Sequence, residues 1–213
     1  MKSTTEDKRV RPRGRQRSEA VRKAVLQAAY EMLQESDFAS VTIEGVAARA
    51  STTKTTIYRW WSSKADLIID AFLEKTQAKT DFPCTGSVIE DFKQQIPLLV
   101  QAYAGEVGHS VASIIAAGQM DPEAAEAFRT RYLAVRRAFA KKLIERGIEQ
   151  DIFAPDLDPD LAIDLLYGPI YFRLLVGHGP LDLEFAERLV EHGLKGLLSD
   201  KPPAYRSAYR ARC

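Results

Sequence analysis

Residues 41–64 read VTIEGVAARASTTKTTIYRWWSSK, a pattern that admits little besides two short helices joined by a tight turn, with a third helix behind them. Thr42 is placed to cap the first helix, and Glu44 puts an acid in its first turn, where the helix dipole favours it. Ile43, Val46 and Ala47 are apolar at helical spacing. Ala50 ends this helix, and Ser51 and Thr52 form the turn. Thr53 then caps a second helix over 54–60. On a 3.6-residue wheel Ile57 and Trp61 share the inward face. Thr55 and Arg59 lie opposite them, flanked by Lys54, Thr56, Tyr58 and Trp60. Ser63 opens the next helix, and Ser63-x-x-Asp66 has the form of a capping box.

A short helix with Lys, Thr, Tyr and Arg on its outer side suits a DNA major groove. Lys and Arg reach guanine acceptors or phosphates, a Thr methyl meets a thymine methyl, and hydroxyls bond phosphate oxygens. This is how the second helix of a helix-turn-helix reads DNA. The same pattern also fits a plain αα-corner with a polar face. On the first reading the DNA-facing set is Thr42, Thr53, Lys54, Thr55, Thr56, Tyr58, Arg59 and Trp60.

Ala47-Ala48-Arg49-Ala50, then the run from Thr53 through Ile57-Tyr58-Arg59-Trp60-Trp61, then Ser63-Lys64-x-x-Leu67, together resemble the DNA-binding domain of the tetracycline-repressor (TetR) family. The resemblance covers residues 18–73. Two positions depart from it. The family usually has Gly in the turn, where this chain has Ser51, so that Ser must tolerate a strained conformation or the turn must differ. The small residue after the Lys is Thr55 here, which adds a side chain at a base-facing position. The resemblance implies that Lys64 contacts a DNA phosphate.

Net charge of +1 hides an asymmetry. Residues 1–64 hold 13 Lys and Arg against 7 Asp and Glu, or +6, and the remainder holds 17 against 22, or −5. A basic head on an acidic body implies a polyanionic partner for the head. Residues 1–17 read as a basic, disordered arm, and Arg13, Arg15 and Arg17 join the DNA-facing set; the bland reading is a solvated tail. No run of about eighteen apolar residues exists to span a membrane, and the charged N-terminus does not read as a signal peptide. Two distant cysteines, Cys84 and Cys213, suit a reducing cytoplasm.

The pattern is helical throughout. Ser18 caps a first helix whose apolar stripe is Val21, Ala24, Val25, Ala28, Ala29 and Met32, with Phe38 closing the small core. The head, residues 18–78 with its motif at 42–61, ends in a helix from Ser63, and 79–87 with Pro83 and Gly86 read as a linker. The body, 79–200, carries helices over 88–104 and 108–119, a long one from Asp121-Pro122, one from Asp158-Pro159 to 176, and a last one from Asp182. Residues 201–213 read as a loose tail. Periodicity and resemblance together predict an all-α fold of about nine helices: a three-helix helix-turn-helix DNA-binding domain and a larger ligand-binding and dimerisation domain.

In the long helix, Phe128, Tyr132, Val135 and Phe139 share one side, and Arg129, Arg136, Arg137, Lys141 and Lys142 read as its solvated face. The helix over 159–176 is apolar nearly all round, so it needs partners on two sides, most simply its own body and a second subunit. The predicted interface is Leu166, Ile170 and Leu174 with Ala186, Leu189, Val190, Gly193, Leu194 and Leu197, in a four-helix contact that the resemblance also implies. Gly168-Pro169 should kink the first of these helices. Large side chains with polar tips, Phe92, Gln95, Leu99, Tyr103, Phe128, Tyr132 and Tyr167, are candidates for a ligand pocket, or else form ordinary core.

His109, His178 and His192 lack metal-type spacing, and no phosphate loop, nucleophile elbow or paired-acid signature appears, so neither cofactor nor metal is expected. The resemblance implies a repressor that binds a palindromic double-stranded operator as a homodimer and leaves it when a small, partly apolar ligand binds. A constitutive or architectural DNA-binding protein with a filled body is the alternative, and a DNA-processing enzyme the remote one.

Overall fold

The computed structural model describes residues 13–76 and 83–198, with backbone alone for 13–17. The expected tail at 201–213, Cys213 and the linker's first residues lie outside the described residues, as does the arm up to residue 12. The regular elements are helices: α1 (Arg13–Glu35), α2 (Ile43–Arg49), α3 (Lys54–Tyr58), α4 (Lys64–Thr76), α5 (Val88–Tyr103), α6 (Glu106–Gly118), α7 (Pro122–Ala127), α8 (Ala134–Glu149), α9 (Pro159–Val176) and α10 (Leu183–Leu197). A π-helical segment, Phe128–Leu133, joins α7 to α8 without a break, so the described residues form nine continuous helical rods. The all-α prediction holds.

The chain packs as two units, residues 1–71 and 72–213. In the first, α1 begins at Arg13 rather than at Ser18, so Arg13, Arg15 and Arg17 belong to helical backbone rather than to a loose arm. Arg and Gln are good helix formers, and nothing between 13 and 18 except Gly14 opposes them. The α1 stripe centres on Val25, Leu26, Ala28, Ala29 and Leu33, whereas Ala24 faces solvent. These residues pack with Phe38, Val41, Val46, Ile57, Leu67 and Ile68, all 0–1 % exposed. Trp61 is buried as predicted, and its indole N–H donates to Asp70 at 2.8 Å.

The second unit opens inside α4 at Phe72, earlier than the linker predicted, because the Phe72 ring packs edge-on against Tyr132 with centroids 5.2 Å apart. Asp121 and Asp158 cap α7 and α9 through the same device: the carboxylate accepts two backbone N–H groups, and proline takes the first helical position. Ser87 and Asp182 cap α5 and α10. α9 is helical through Pro169.

A buried ion pair ties α5 to α8. Asp91, 1 % exposed, accepts from Arg146 at 2.5 Å and from the Thr85 N–H and hydroxyl, each at 2.7 Å. Burial pushes the Asp91 carboxyl up, but these hydrogen bonds outweigh it and hold its pKa below the usual value.

The predicted interface stripe turns inward. Leu166, Ile170 and Ala186 are 0 % exposed, and Val190, Leu194 and Leu197 no more than 4 %. A Cβ on Gly193 would stand 2.7 Å from a Leu166 methyl, so that glycine admits the close approach of α9 and α10 within one subunit. Only Leu174, Leu189 and Gly193 of the predicted set keep partial exposure. Buried residues have no area left to offer a second copy. The outward apolar face of α9 is instead Leu161, Leu165, Phe172, Leu175 and Val176, each between 47 and 59 % exposed.

Candidate functional site

The structure offers two sites, one in each unit. In the first, α2 and α3 form the predicted pair. The Thr42 hydroxyl accepts from Gly45 N–H at 3.1 Å, and Thr53 caps α3 through Thr56 N–H at 3.2 Å. α2 ends in a Schellman arrangement: Ser51 N–H bonds the Ala48 carbonyl at 3.2 Å and Thr52 N–H the Ala47 carbonyl at 2.9 Å. Ser51 sits at the left-handed position this requires, with φ 50°, so it accepts the strain rather than altering the turn.

α3 ends at Tyr58, earlier than the predicted residue 60. Lys54, Thr55, Tyr58 and Arg59 are exposed on its outer side. Thr56, predicted to flank that face, is half-buried, with its hydroxyl 3.0 Å from the Thr53 hydroxyl. Thr55 is therefore the more exposed of the two threonines. Trp60 is half-buried and stands edge-on to Trp61. Lys54 bonds Glu44 at 2.7 Å across the turn, which raises the pKa of the lysine. Ser63 accepts from Asp66 N–H at 3.1 Å, one half of the predicted capping box; the Asp66 carboxylate also takes the Ser62 hydroxyl. Lys64 opens α4, where the helix dipole disfavours a cation. Its ammonium donates to the Phe38 and Ala39 carbonyls at 3.0 and 3.3 Å and lies 4.7 Å from the Phe38 ring centre, strapping the α1–α2 loop to α4.

The second site is a cavity of about 590 Å³ within the helical body. Its apolar walls are Leu99, Ile114, Ile115, Phe128, Leu133, Ala140 and Ile163; Tyr167 and Tyr171 add hydroxyls; Arg129, Arg136, Arg137 and Asp164 add charge. Of the predicted pocket residues, Leu99, Phe128 and Tyr167 line it. Phe92, Gln95, Tyr103 and Tyr132 stand behind the wall as support. Phe92 packs near Phe153, Gln95 accepts from the Tyr167 hydroxyl at 2.8 Å, and the Tyr103 hydroxyl lies 2.9 Å from Tyr132 and 3.0 Å from Tyr171. Burial pushes the phenols of Tyr103, Tyr132, Tyr167 and Tyr171 upward, so they stay protonated.

The arginines correct the sequence reading. Arg129 is exposed as expected, but Arg136 and Arg137 are half-buried, and all three border the cavity. Phe128 and Tyr132 are buried while Val135 and Phe139, expected on the same stripe, are 50 and 55 % exposed. The π-helical turn is the cause. It adds a residue to one turn and so rotates everything downstream by about one position. The buried stripe resumes at Ala140, Leu143, Ile144 and Gly147, and Arg136, one turn before Ala140, moves to the cavity.

The sequence model described as bacterial regulatory proteins, tetR family, matches residues 25–71, and that for the tetracyclin repressor-like C-terminal domain matches residues 82–192. The HTH-type transcriptional regulator YdeS of Bacillus subtilis is 40 % identical over 185 residues, 87 % of this chain and 93 % of its own. The DNA-binding transcriptional repressor TetR of Mycobacteroides abscessus is 28 % identical over 193 residues, covering 85 % of this chain and 96 % of its own. The crystal structure of the TetR family regulator SCO0332 superposes with a TM-score of 0.72 at 34 % identity, covering 83 % of this chain and 98 % of that one. These relatives are regulators rather than enzymes. With both halves matched, in order and over most of its length, the chain belongs to the TetR family of DNA-binding transcription regulators.

Proposed function

We propose that this regulator is a repressor that binds a palindromic operator as a homodimer in the cytoplasm and releases it when a small, partly apolar molecule occupies the cavity of each body. The observation that carries the reading is the cavity itself. Its 590 Å³ falls within the roughly 300–1,000 Å³ of small-molecule sites, with apolar walls and a few convergent polar groups. A constitutive regulator has no need of such a space and would fill it. The repressor reading is supported by the repressor from Mycobacteroides abscessus among its relatives. In the head, Lys54, Thr55, Tyr58 and Arg59 supply the major-groove contacts, and Thr42, Thr53 and Lys64 contact the backbone. The outward apolar face of α9 supplies the dimer contact.

The test begins with selection of duplexes from a random library by the full-length protein. An inverted repeat should emerge, its half-sites one helical turn, about 34–36 Å, or a multiple apart. A selected motif without two-fold symmetry would remove the dimeric reading. Screening small molecules for release of the selected duplex then tests the cavity. If compounds that bind the body leave operator affinity unchanged, the protein is a constitutive binder.

A further inference from the structure

We infer that the cavity is built for an organic anion: an apolar body carrying one carboxylate or comparable acid group. This rests on reading the cavity as the effector site and goes on to name the class of effector. The lining carries three guanidinium groups, Arg129, Arg136 and Arg137, of which Arg129 is paired with Glu126 at 2.6 Å. Arg137 is anchored by Asp160 at 3.0 Å and by Asp164. Arg136 is half-buried, with its guanidinium carbon 5.9 Å from the Tyr132 ring centre, on the tyrosine side of the space.

The hydroxyls point the same way. Tyr103, Tyr132 and Tyr171 bring three O–H groups but share only two contacts, at 2.9 and 3.0 Å. One proton is therefore left over for an outside acceptor. Tyr171 is the member of this chain that lines the cavity. Behind Tyr167 and outside the lining, the buried Gln95 amide nitrogen has no partner among the described residues. The Arg136 guanidinium and a spare phenol proton match a group that accepts, and an anion accepts most strongly. Elsewhere in the lining Leu99, Ile114, Ile115 and Phe128 offer nothing polar, which matches an apolar remainder.

The test uses naphthoate and its neutral isostere naphthamide, titrated by calorimetry into the full-length protein and its Arg136→Gln and Tyr171→Phe variants. Naphthoate should bind the parent about ten- to a hundredfold more tightly than naphthamide, the range of a charge-assisted hydrogen bond. Arg136→Gln should erase most of that preference while leaving naphthamide unchanged, and Tyr171→Phe should reduce it. Equal binding of the two probes, binding of neither, or equal loss of both in Arg136→Gln would overturn the inference. Release of the selected operator separates it from the function proposed above. Naphthoate that binds without loosening DNA removes the induction reading and keeps the anion class. A neutral probe that releases DNA where naphthoate does not removes the anion class and keeps induction.

Discussion

Ser51 shows how a single residue can hold a turn at a cost. At φ 50° it occupies the left-handed position that closes α2, and a side chain there costs about 1–2 kcal/mol. Ser51→Gly removes that strain but frees the unfolded chain by about 0.4–1 kcal/mol. The substitution should therefore stabilise the head by about 0.5–1 kcal/mol, read as a higher urea midpoint at constant slope. Lys64 carries two assignments, a strap to the Phe38 and Ala39 carbonyls and a proposed phosphate contact. Lys64→Ala should lower operator affinity for all sequences and reduce the salt slope by about one unit. A lower melting temperature with an unchanged salt slope would leave only the strap. Asp91 contributes to the stability of the body on the acid side. Its pKa is held below that of the unfolded chain, so the stabilisation is complete above about pH 4 and fades as pH falls through the depressed value. Asp91→Asn leaves the Arg146 charge without its counter-ion. The cost should be about 2–3 kcal/mol, below that of a fully buried pair because Arg146 keeps a third of its exposure. The variant should also lose part of the acid-side dependence in melts between pH 3 and pH 7; a parallel pH profile would show that Asp91 does not titrate as described.

At the scale of elements, the sequence is most legible where the period is regular and short. The caps Thr42, Thr53, Asp121 and Asp158, the inward pair Ile57 and Trp61, and the bounds of α5 and α9 all follow from local spacing. It is least legible where geometry interrupts the period. Nothing in FRTRYL announces a π-helical turn, yet that one turn moves Val135 and Phe139 outward and brings Arg136 to the cavity. A stripe drawn with a uniform 3.6 period must miss this. α9 fails for a different reason. A helix apolar all round has no phase to read, so which face meets its own body depends on α10, and the close contact of Gly193 with Leu166 settles it. The face left over gives a prediction. Phe172 is 59 % exposed, so Phe172→Asp should leave helix content and melting of the subunit largely intact. In a dimer built on α9 it buries an unpaired charge, which is strongly unfavourable. Light scattering should then show a dimer for the parent and a monomer for the variant at micromolar concentration, with loss of affinity for the inverted repeat. A variant that remains dimeric would move the interface elsewhere.

For the whole molecule, the proposed function requires the two candidate sites to be coupled. The residues proposed to read DNA lie in the first unit and the cavity in the second, and α4 contributes Lys64 and Leu67 to one and Phe72 to the other. Phe72 packs on Tyr132, and Tyr132 shares its hydroxyl contact with Tyr103, which in turn meets the cavity residue Tyr171. In the proposed mechanism, a ligand that draws on the Tyr171 hydroxyl would disturb a chain of contacts ending on α4, and a dimer that reads two half-sites at fixed spacing would tolerate little movement of that helix. Ligand and DNA would then prefer different conformers of one protein. A ligand shifts such an equilibrium only by its differential affinity for the two states, so coupling must be visible from both sides. If an effector weakens operator binding by a given factor, the operator must weaken effector binding by the same factor. Couplings of about 1–3 kcal/mol, or about 5- to 150-fold, are typical. The measurement is two titrations of one effector, into the free dimer and into the dimer saturated with the selected duplex, set beside the operator affinity with and without effector. The two ratios should agree, and Tyr132→Phe, which removes the middle of the contact chain while keeping the ring against Phe72, should shrink both together. Equal effector affinity in both titrations would mean that the cavity and the DNA-reading head are energetically independent, whatever binds in each.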